Sequence, residues 1–321
     1  MFPWAPRPQI DPVNALLGIS LKIISTLAFT AMSTLIKLAG DAGYPTGQTV
    51  FFRSFFALIP LLAWLASRGE LVDAVRTTRL FGHLKRSIAG TMAMFCGFTA
   101  LSLLPLPDAT AIGYATPLMT TLLAALVLKE VVRVYRWSAL GVGFCGMLIM
   151  MIPYMQPGGA YGRREAIGAL FGLGGAFFSG ISSIEIRKLA QIEKTGAIVF
   201  YFSSTASVIG LSTIVLGWRM PGWHDGALLV MAGIAGGVGQ ILLTSSYRFA
   251  PASVIAPFDY TTLIWALIVG FVVFSNIPEP LVLTGAALVI AAGLFVIWRE
   301  RQLGLEDRRR REREAGAQRS T

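Results

Sequence analysis

An all-α membrane protein with ten transmembrane helices, arranged as two inverted five-helix repeats, is the fold class that three features of this sequence predict. Apolar residues make up 55% of the 321 residues and charged residues only 14%, which lies far outside the balance of a soluble domain. Apolar stretches of about 20 residues, the length that spans a hydrocarbon core about 30 Å thick, recur along nearly the whole chain. The third feature is an internal duplication.

The duplication relates the region that follows Pro105 to the region that follows Pro251. Laying these two prolines on each other brings Tyr114 onto Tyr260. Each copy has a Pro-punctuated turn, a long apolar run, a polar break and a second apolar run rich in small residues. An internal repeat of this kind constrains the whole fold, so it is identified before single helices are assigned. The chain is therefore predicted to be two related halves.

The helices follow from the apolar runs and from the prolines that separate them, since proline interrupts a helix least at its ends. They are predicted at residues 14–37, 46–66, 84–104, 108–128, 137–152, 166–189, 197–216, 226–248, 252–274 and 281–298. The prolines expected at breaks are Pro45, Pro105, Pro107, Pro153, Pro251, Pro278 and Pro280. The domains are then a cytoplasmic N-terminus at 1–13, repeats at 14–153 and 154–298, and a basic cytoplasmic tail at 299–321.

Orientation follows from the distribution of Lys and Arg, which accumulate on the cytoplasmic side of membrane proteins. Most of the 27 basic residues fall on one face if the N-terminus is cytoplasmic, and Arg86, counted as flanking the third helix, is among them. Both termini are therefore expected on the cytoplasmic side of the membrane. The arginine-rich tail is expected to be disordered and to contact anionic lipid, not nucleic acid.

Five helices per half make the two halves cross the membrane in opposite senses, which is the inverted repeat of many secondary transporters. This pattern resembles the EamA branch of the drug/metabolite transporter superfamily over residues 14–300. The matching motifs are Phe52-Arg53-Ser54-Phe55-Phe56 in helix two, the stretch from Pro117-Leu118 to Glu130 in helix four, and Ala256-Pro257-Phe258-Asp259-Tyr260 in helix nine. One departure is Asn276, which stands where the family usually keeps an acidic residue matching Glu130.

The resemblance implies transport of a small metabolite across the inner membrane of a bacterium without ATP hydrolysis, and the chain has no phosphate-binding G-x-x-x-x-G-K-[ST] loop. An amino acid or derivative, or a similar amphipathic solute, is the expected small-molecule substrate, moved by secondary active or facilitative transport. Import and export, proton coupling and a homodimer are all left open. No cofactor or metal site is expected, since Cys96 and Cys145 lie apart within apolar runs.

Ionisable residues inside a membrane helix are costly, so they are the first candidates for a site. Lys22 lies about 12 Å along helix one and Asp259 about 10 Å along helix nine, both measured from the cytoplasmic face. We expect them to share one level, either as a pair at a substrate or proton site or as a purely structural pair. Lys22 is also able to reach the inner surface with its long side chain.

Arg53 lies about 10 Å inside helix two from the outer face. Its guanidinium is suited to bind a substrate carboxylate through two parallel hydrogen bonds, or to bridge backbone carbonyls as a structural residue. Tyr114, Tyr260 and Trp265 are candidates to line a cavity for a flat solute, although aromatic residues also serve as packing. Gln240 on helix eight is a further candidate polar contact.

The alternative function is an integral membrane enzyme that acts on lipid or a lipid-linked substrate. Such an enzyme needs a catalytic cluster, and the two histidines, His83 and His224, are predicted at opposite faces of the membrane. A channel is a third option, but the chain shows no ring of like charges. The sequence therefore favours a carrier that is not an enzyme.

Overall fold

Helices account for all the regular structure in the part of the chain that the computed structural model describes, namely residues 12–127, 134–155, 162–189, 192–249 and 252–319. The first-half helices are α1 (Pro12–Asp41), α2 (Thr46–Ser67), α3 (Leu71–Val75), α4 (Leu80–Leu103), α5 (Leu106–Gly113), α6 (Ala115–Val127) and α7 (Val134–Met155). The second-half helices are α8 (Arg163–Leu189), α9 (Thr195–Ser212), α10 (Trp223–Phe249), α11 (Ala252–Ile255), α12 (Thr261–Phe274) and α13 (Pro280–Arg319). Two 3₁₀ turns, Thr213–Leu216 and Ala256–Tyr260, follow α9 and α11.

Eight helical segments within the described residues are long and apolar enough to cross a membrane. The helix α4 is equally long but carries His83, Lys85 and Arg86 in its first two turns, and the fourth predicted helix is divided into α5 and α6. Together these segments agree with the predicted all-α, ten-helix membrane protein. Glu130, one of the residues that carried the resemblance, lies outside the described residues.

Helices four and nine, predicted as continuous, are each broken next to a tyrosine. The first break separates α5 from α6 at Tyr114, and Pro117 explains it because a proline cannot donate to the carbonyl four residues earlier, that of Gly113. At the second break, the 3₁₀ turn that ends at Tyr260 contains Pro257 and separates α11 from α12. Residues that the duplication matches therefore lie at both breaks.

Three other predicted boundaries are corrected. Pro153 does not lie at a break but within the last turn of α7, where it removes one helix hydrogen bond, the one to the carbonyl of Ile149. The connection after α2 contains the short helix α3. The chain after Trp298, expected to be disordered, continues α13 to Arg319, because Arg, Glu, Ala, Leu and Gln in this stretch all favour helix.

The bundle is held by long helix pairs, in which α1 packs on α10, α4 on α8, α2 on both α9 and α10, and α7 on α13. The α7–α13 pair is in backbone contact, because Gly146 and Gly285 face each other. A Cβ atom on Gly146 would lie 2.7 Å from the Gly285 carbonyl oxygen, and one on Gly285 would overlap the Gly146 oxygen. Small residues permit such backbone contact between membrane helices, so Gly146 and Gly285 form a close glycine seam between α7 and α13.

Candidate functional site

A cavity of about 500 Å³ lies between the two broken helices and the α7–α13 pair. It is predominantly apolar, with polar groups concentrated where the helices break. Its lining includes Thr110, Tyr114, Thr116, Thr121, Asp259, Tyr260 and Thr262 beside apolar residues of α7 and α13. An apolar cavity of this size with a few convergent polar groups is typical of a small-molecule site.

Asp259 and Lys22, predicted to share one level, form an ion pair in the structure. The Lys22 side chain is only 3% exposed, whereas that of Asp259 is 51% exposed and lines the cavity. A second contact between the same helices lies beside the pair, where the hydroxyls of Thr26 and Thr261 are 2.8 Å apart. The carboxylate is therefore held by a buried ammonium while one side of it faces the cavity.

Tyr114 and Tyr260 meet across the cavity with their ring centroids 5.2 Å apart. The Tyr114 hydroxyl accepts a hydrogen bond of 2.9 Å from the backbone N–H of Leu263, in the first turn of α12. It also lies 3.4 Å from the carbonyl oxygens of Asp259 and Tyr260, to which it can donate. One side chain of helix four thus binds backbone groups at the break in helix nine and positions the segment that carries Asp259.

Tyr260 depends on a glycine for its place. Its hydroxyl lies against the backbone of Gly293 on α13, at the position that a Cβ atom would occupy. We expect Gly293→Ala to push the Tyr260 ring into the cavity and lower transport about tenfold, a change of about 1.4 kcal/mol. The folded protein should remain, because the clash involves the far end of a side chain. Initial transport rates against those of Gly141→Ala, a glycine with open space around it, would check this, and equal rates would contradict it.

Two predicted site residues lie in a different place. Arg53 and Gln240 line a smaller void of about 10 Å³ between α2, α9 and α10, together with Phe202, Ser203 and glycines of α10. Trp265 is part-buried on α12 and is not among the described residues that line either space. The predicted set is therefore divided, with Lys22, Tyr114, Asp259 and Tyr260 at one location and Arg53 and Gln240 at another.

Arg86 and Phe202 were missed by the sequence analysis. Arg86 was counted as a flanking residue, but α4 begins at Leu80 instead of residue 84, so this arginine lies in the second turn and is buried. Phe202 had a detectable signal, because Thr46-Gly47 and Thr195-Gly196 begin similar helices. Aligning these helix starts puts Phe202 on Arg53, and the two side chains are in contact.

The end of the bundle where α1 ends and α2 begins is closed by polar contacts. The side chain of Gln48 exchanges two hydrogen bonds with the backbone of Arg219, at 2.8 and 3.1 Å. The Arg219 guanidinium donates to the carbonyl of Ala42 at 3.0 Å, and Tyr44 donates to Asp225 at 2.7 Å. These contacts tie the α1–α2 connection to the α9–α10 connection.

Comparison with known proteins places this geometry in context. Residues 16–152 match the EamA-like transporter family. The S-adenosylmethionine uptake transporter of Rickettsia bellii (strain RML369-C) is 27% identical over 286 residues, which cover 89% of this chain and 95% of that protein. The pseudopaline exporter of Pseudomonas aeruginosa (strain UCBPP-PA14) is 27% identical over 277 residues, covering 86% and 94%. A solved crystal structure shares the fold with a TM-score of 0.61 at 18% identity, over 91% of this chain and 98% of that one.

Proposed function

We propose that this chain, which is an EamA-type member of the drug/metabolite transporter superfamily, carries a small amphipathic metabolite across the bacterial inner membrane by alternating access. The observation that carries the proposal is the Asp259 carboxylate, which is paired with buried Lys22 and faces a cavity of about 500 Å³. Buried ionisable groups in membrane helices that face a cavity are typical of substrate and ion pathways. Asp259 is thus the group expected to respond to the solute.

The solute class follows from the groups around that carboxylate. The half-exposed Asp259 favours a positively charged group, and the faces of Tyr114 and Tyr260 favour a cation or a flat ring. S-adenosylmethionine, named for the Rickettsia relative, has both a sulfonium cation and an aromatic ring. The Pseudomonas relative is named as an exporter, so relatives at this level of similarity include both directions of transport.

Alternating access is supported by the way matched elements meet. By position in the repeats, α8 is the equivalent of α1, and α4 is the equivalent of α10. The contact between α1 and α10 therefore corresponds to the contact between α8 and α4. Residues at matched positions of the two halves also contact each other: Tyr114 contacts Tyr260, and Arg53 contacts Phe202. Such self-contacts are expected where a pseudo-two-fold axis in the membrane plane passes between two inverted halves. Ten crossings would put both termini on the same side, which we propose from the distribution of Lys and Arg to be the cytoplasm.

Coupling is proposed to run through the Lys22–Asp259 pair, with Asp259 releasing Lys22 when a proton or a cationic solute binds. Facilitated diffusion needs no titrating group and is the competing arrangement. The relatives named above are transporters, which favours a carrier over the membrane enzyme considered from the sequence.

The test is uptake and efflux of labelled S-adenosylmethionine, amino acids and their derivatives in proteoliposomes, with and without an imposed proton gradient. Accumulation of one solute that follows the gradient supports a proton-coupled carrier. Transport that is indifferent to the gradient supports facilitated diffusion and rules out coupling at Asp259. If no solute in the panel moves while the reconstituted protein is folded, the proposed solute class is wrong and the enzyme alternative returns.

A further inference from the structure

Two arginines share one aromatic ring inside the bundle. The Arg86 guanidinium carbon lies 3.7 Å from the centroid of the Phe202 ring, and that of Arg53 lies 5.9 Å from the same centroid. Arg53 is 8% exposed and Arg86 is 7% exposed. An arginine against an aromatic face keeps the N–H groups at its edge available as donors. Two positive charges are therefore concentrated at one buried point between α2, α4 and α9.

These charges lack a counter-charge within the described part of the chain. No Asp or Glu there forms an ion pair with Arg53 or Arg86, and the charged neighbour that acts on Arg86 is Arg53 itself. The Nε atom of Arg53 and the Nε and Nη1 atoms of Arg86 are buried without a hydrogen-bond partner. A buried cation without a partner costs several kcal/mol, and a second like charge nearby adds to that cost.

The groups around the arginines can supply donors but no negative charge. Gln240 and Ser203 line the void beside Arg53, and the hydroxyl of Ser54, next to Arg53 on α2, is buried without a hydrogen-bond partner. The void is about 10 Å³, about the volume of one water molecule, so a small end group enters only by displacing a lining side chain, and a whole metabolite is excluded. Among singly charged end groups, a carboxylate matches the forked guanidinium through paired hydrogen bonds.

We propose that Arg53 and Arg86 form an anion site that takes a carboxylate, with Phe202 orienting both guanidinium groups. The site is separate from the cavity at Asp259 and adds Arg86 to the residues that bind ligand. This proposal rests on the proposed function only for the identity of the natural ligand, which is the carboxylate of the transported solute. The binding chemistry itself is testable without transport.

The experiment measures thermal unfolding of the detergent-purified full-length protein in sodium formate, sodium chloride or the sodium salt of a bulky sulfonate buffer, at equal ionic strength. Formate is the smallest carboxylate, chloride represents a free inorganic anion, and the sulfonate is too large to enter the void. We expect formate to raise the unfolding temperature by about 2–4 °C over the sulfonate, as binding to the folded state alone does. The increment should vanish in Arg53→Gln and Arg86→Gln.

Lys85→Gln is the matched control, because it removes a positive charge from the exposed neighbour of Arg86 on the same helix and should keep the increment. Arg86→Lys retains the charge but not the fork, so it should lose at least half of the increment even if the Gln variants do not fold. An equal rise with chloride and formate would overturn the carboxylate assignment. No difference among the three salts in the unaltered protein would overturn the site itself, whatever the proteoliposomes transport.

Discussion

Replacing Asp259 with Asn is expected to lower the initial rate of solute transport at least about tenfold, which corresponds to about 1.4 kcal/mol. The change keeps the shape of the side chain and removes the charge that faces the cavity. It also removes the carboxylate with which Lys22, only 3% exposed, is paired. The free energy of unfolding should fall by about 1–2 kcal/mol, less than for a fully buried pair, because half of the Asp259 side chain is already exposed.

Two companion variants separate a functional from a structural role. Asp41→Asn makes the same chemical change at the end of α1, where Asp41 is paired with Lys37 and does not line the cavity, and should transport at the normal rate. Exchanging the charges, with Lys22→Asp and Asp259→Lys together, retains a pair while reversing the sign of the group at the cavity. Transport restored by the exchange would show that the pair is only structural and would contradict the proposed role of Asp259.

Replacing Gly285 with Leu is expected to reduce the yield of folded, monodisperse protein at least about fivefold. A Cβ atom there overlaps the carbonyl oxygen of Gly146 and lies 2.8 Å from the backbone nitrogen of Met150. Backbone atoms of a packed helix cannot move aside as a side chain can, so the two helices must separate along their length. Overpacking costs about 1–3 kcal/mol where side chains can adjust, and more is expected here.

Gly141→Leu is the control for this effect, because Gly141 lies on α7 as well but has open space around it. Size-exclusion chromatography after identical expression and solubilisation compares the two variants. Gly141→Leu should give the yield of the unaltered protein. A normal, monodisperse yield of Gly285→Leu would mean that α7 and α13 are not in close contact.

The pairing of Lys22 with Asp259 could be predicted because helix rise is fixed, so that depth in the membrane follows from counting residues. The resemblance to EamA transporters is confirmed over residues 16–152. It was detectable because the length of the apolar stretches and the duplication can be read directly from the sequence. The breaks at Tyr114 and in the Ala256–Tyr260 turn were not predicted, because a proline acts on the carbonyl four residues earlier and its effect depends on local packing.

Arg86 shows where counting fails. A helix start displaced by four residues converts a flanking cation into a buried one, and the count of basic residues on the cytoplasmic side is unchanged by the difference. The division of the predicted site residues between two locations was equally beyond the sequence. Rotation of each helix about its axis decides which residues face one another, and that rotation is set by contacts such as those of Gly236 with Met32 and Arg53.

The hydrogen-bonded end of the bundle and the glycine contact between α7 and α13 should differ in how easily they separate. Contacts such as those between Gln48 and Arg219 are hydrogen bonds near an end of the bundle, and water can replace each of them when that end opens. At the glycine seam of α7 and α13 the contact is between backbone atoms of packed helices, and lipid would have to fill any gap. If the proposed carrier works by alternating access, we therefore expect the α1–α2 connection to separate from the α9–α10 connection while α7 and α13 stay in contact.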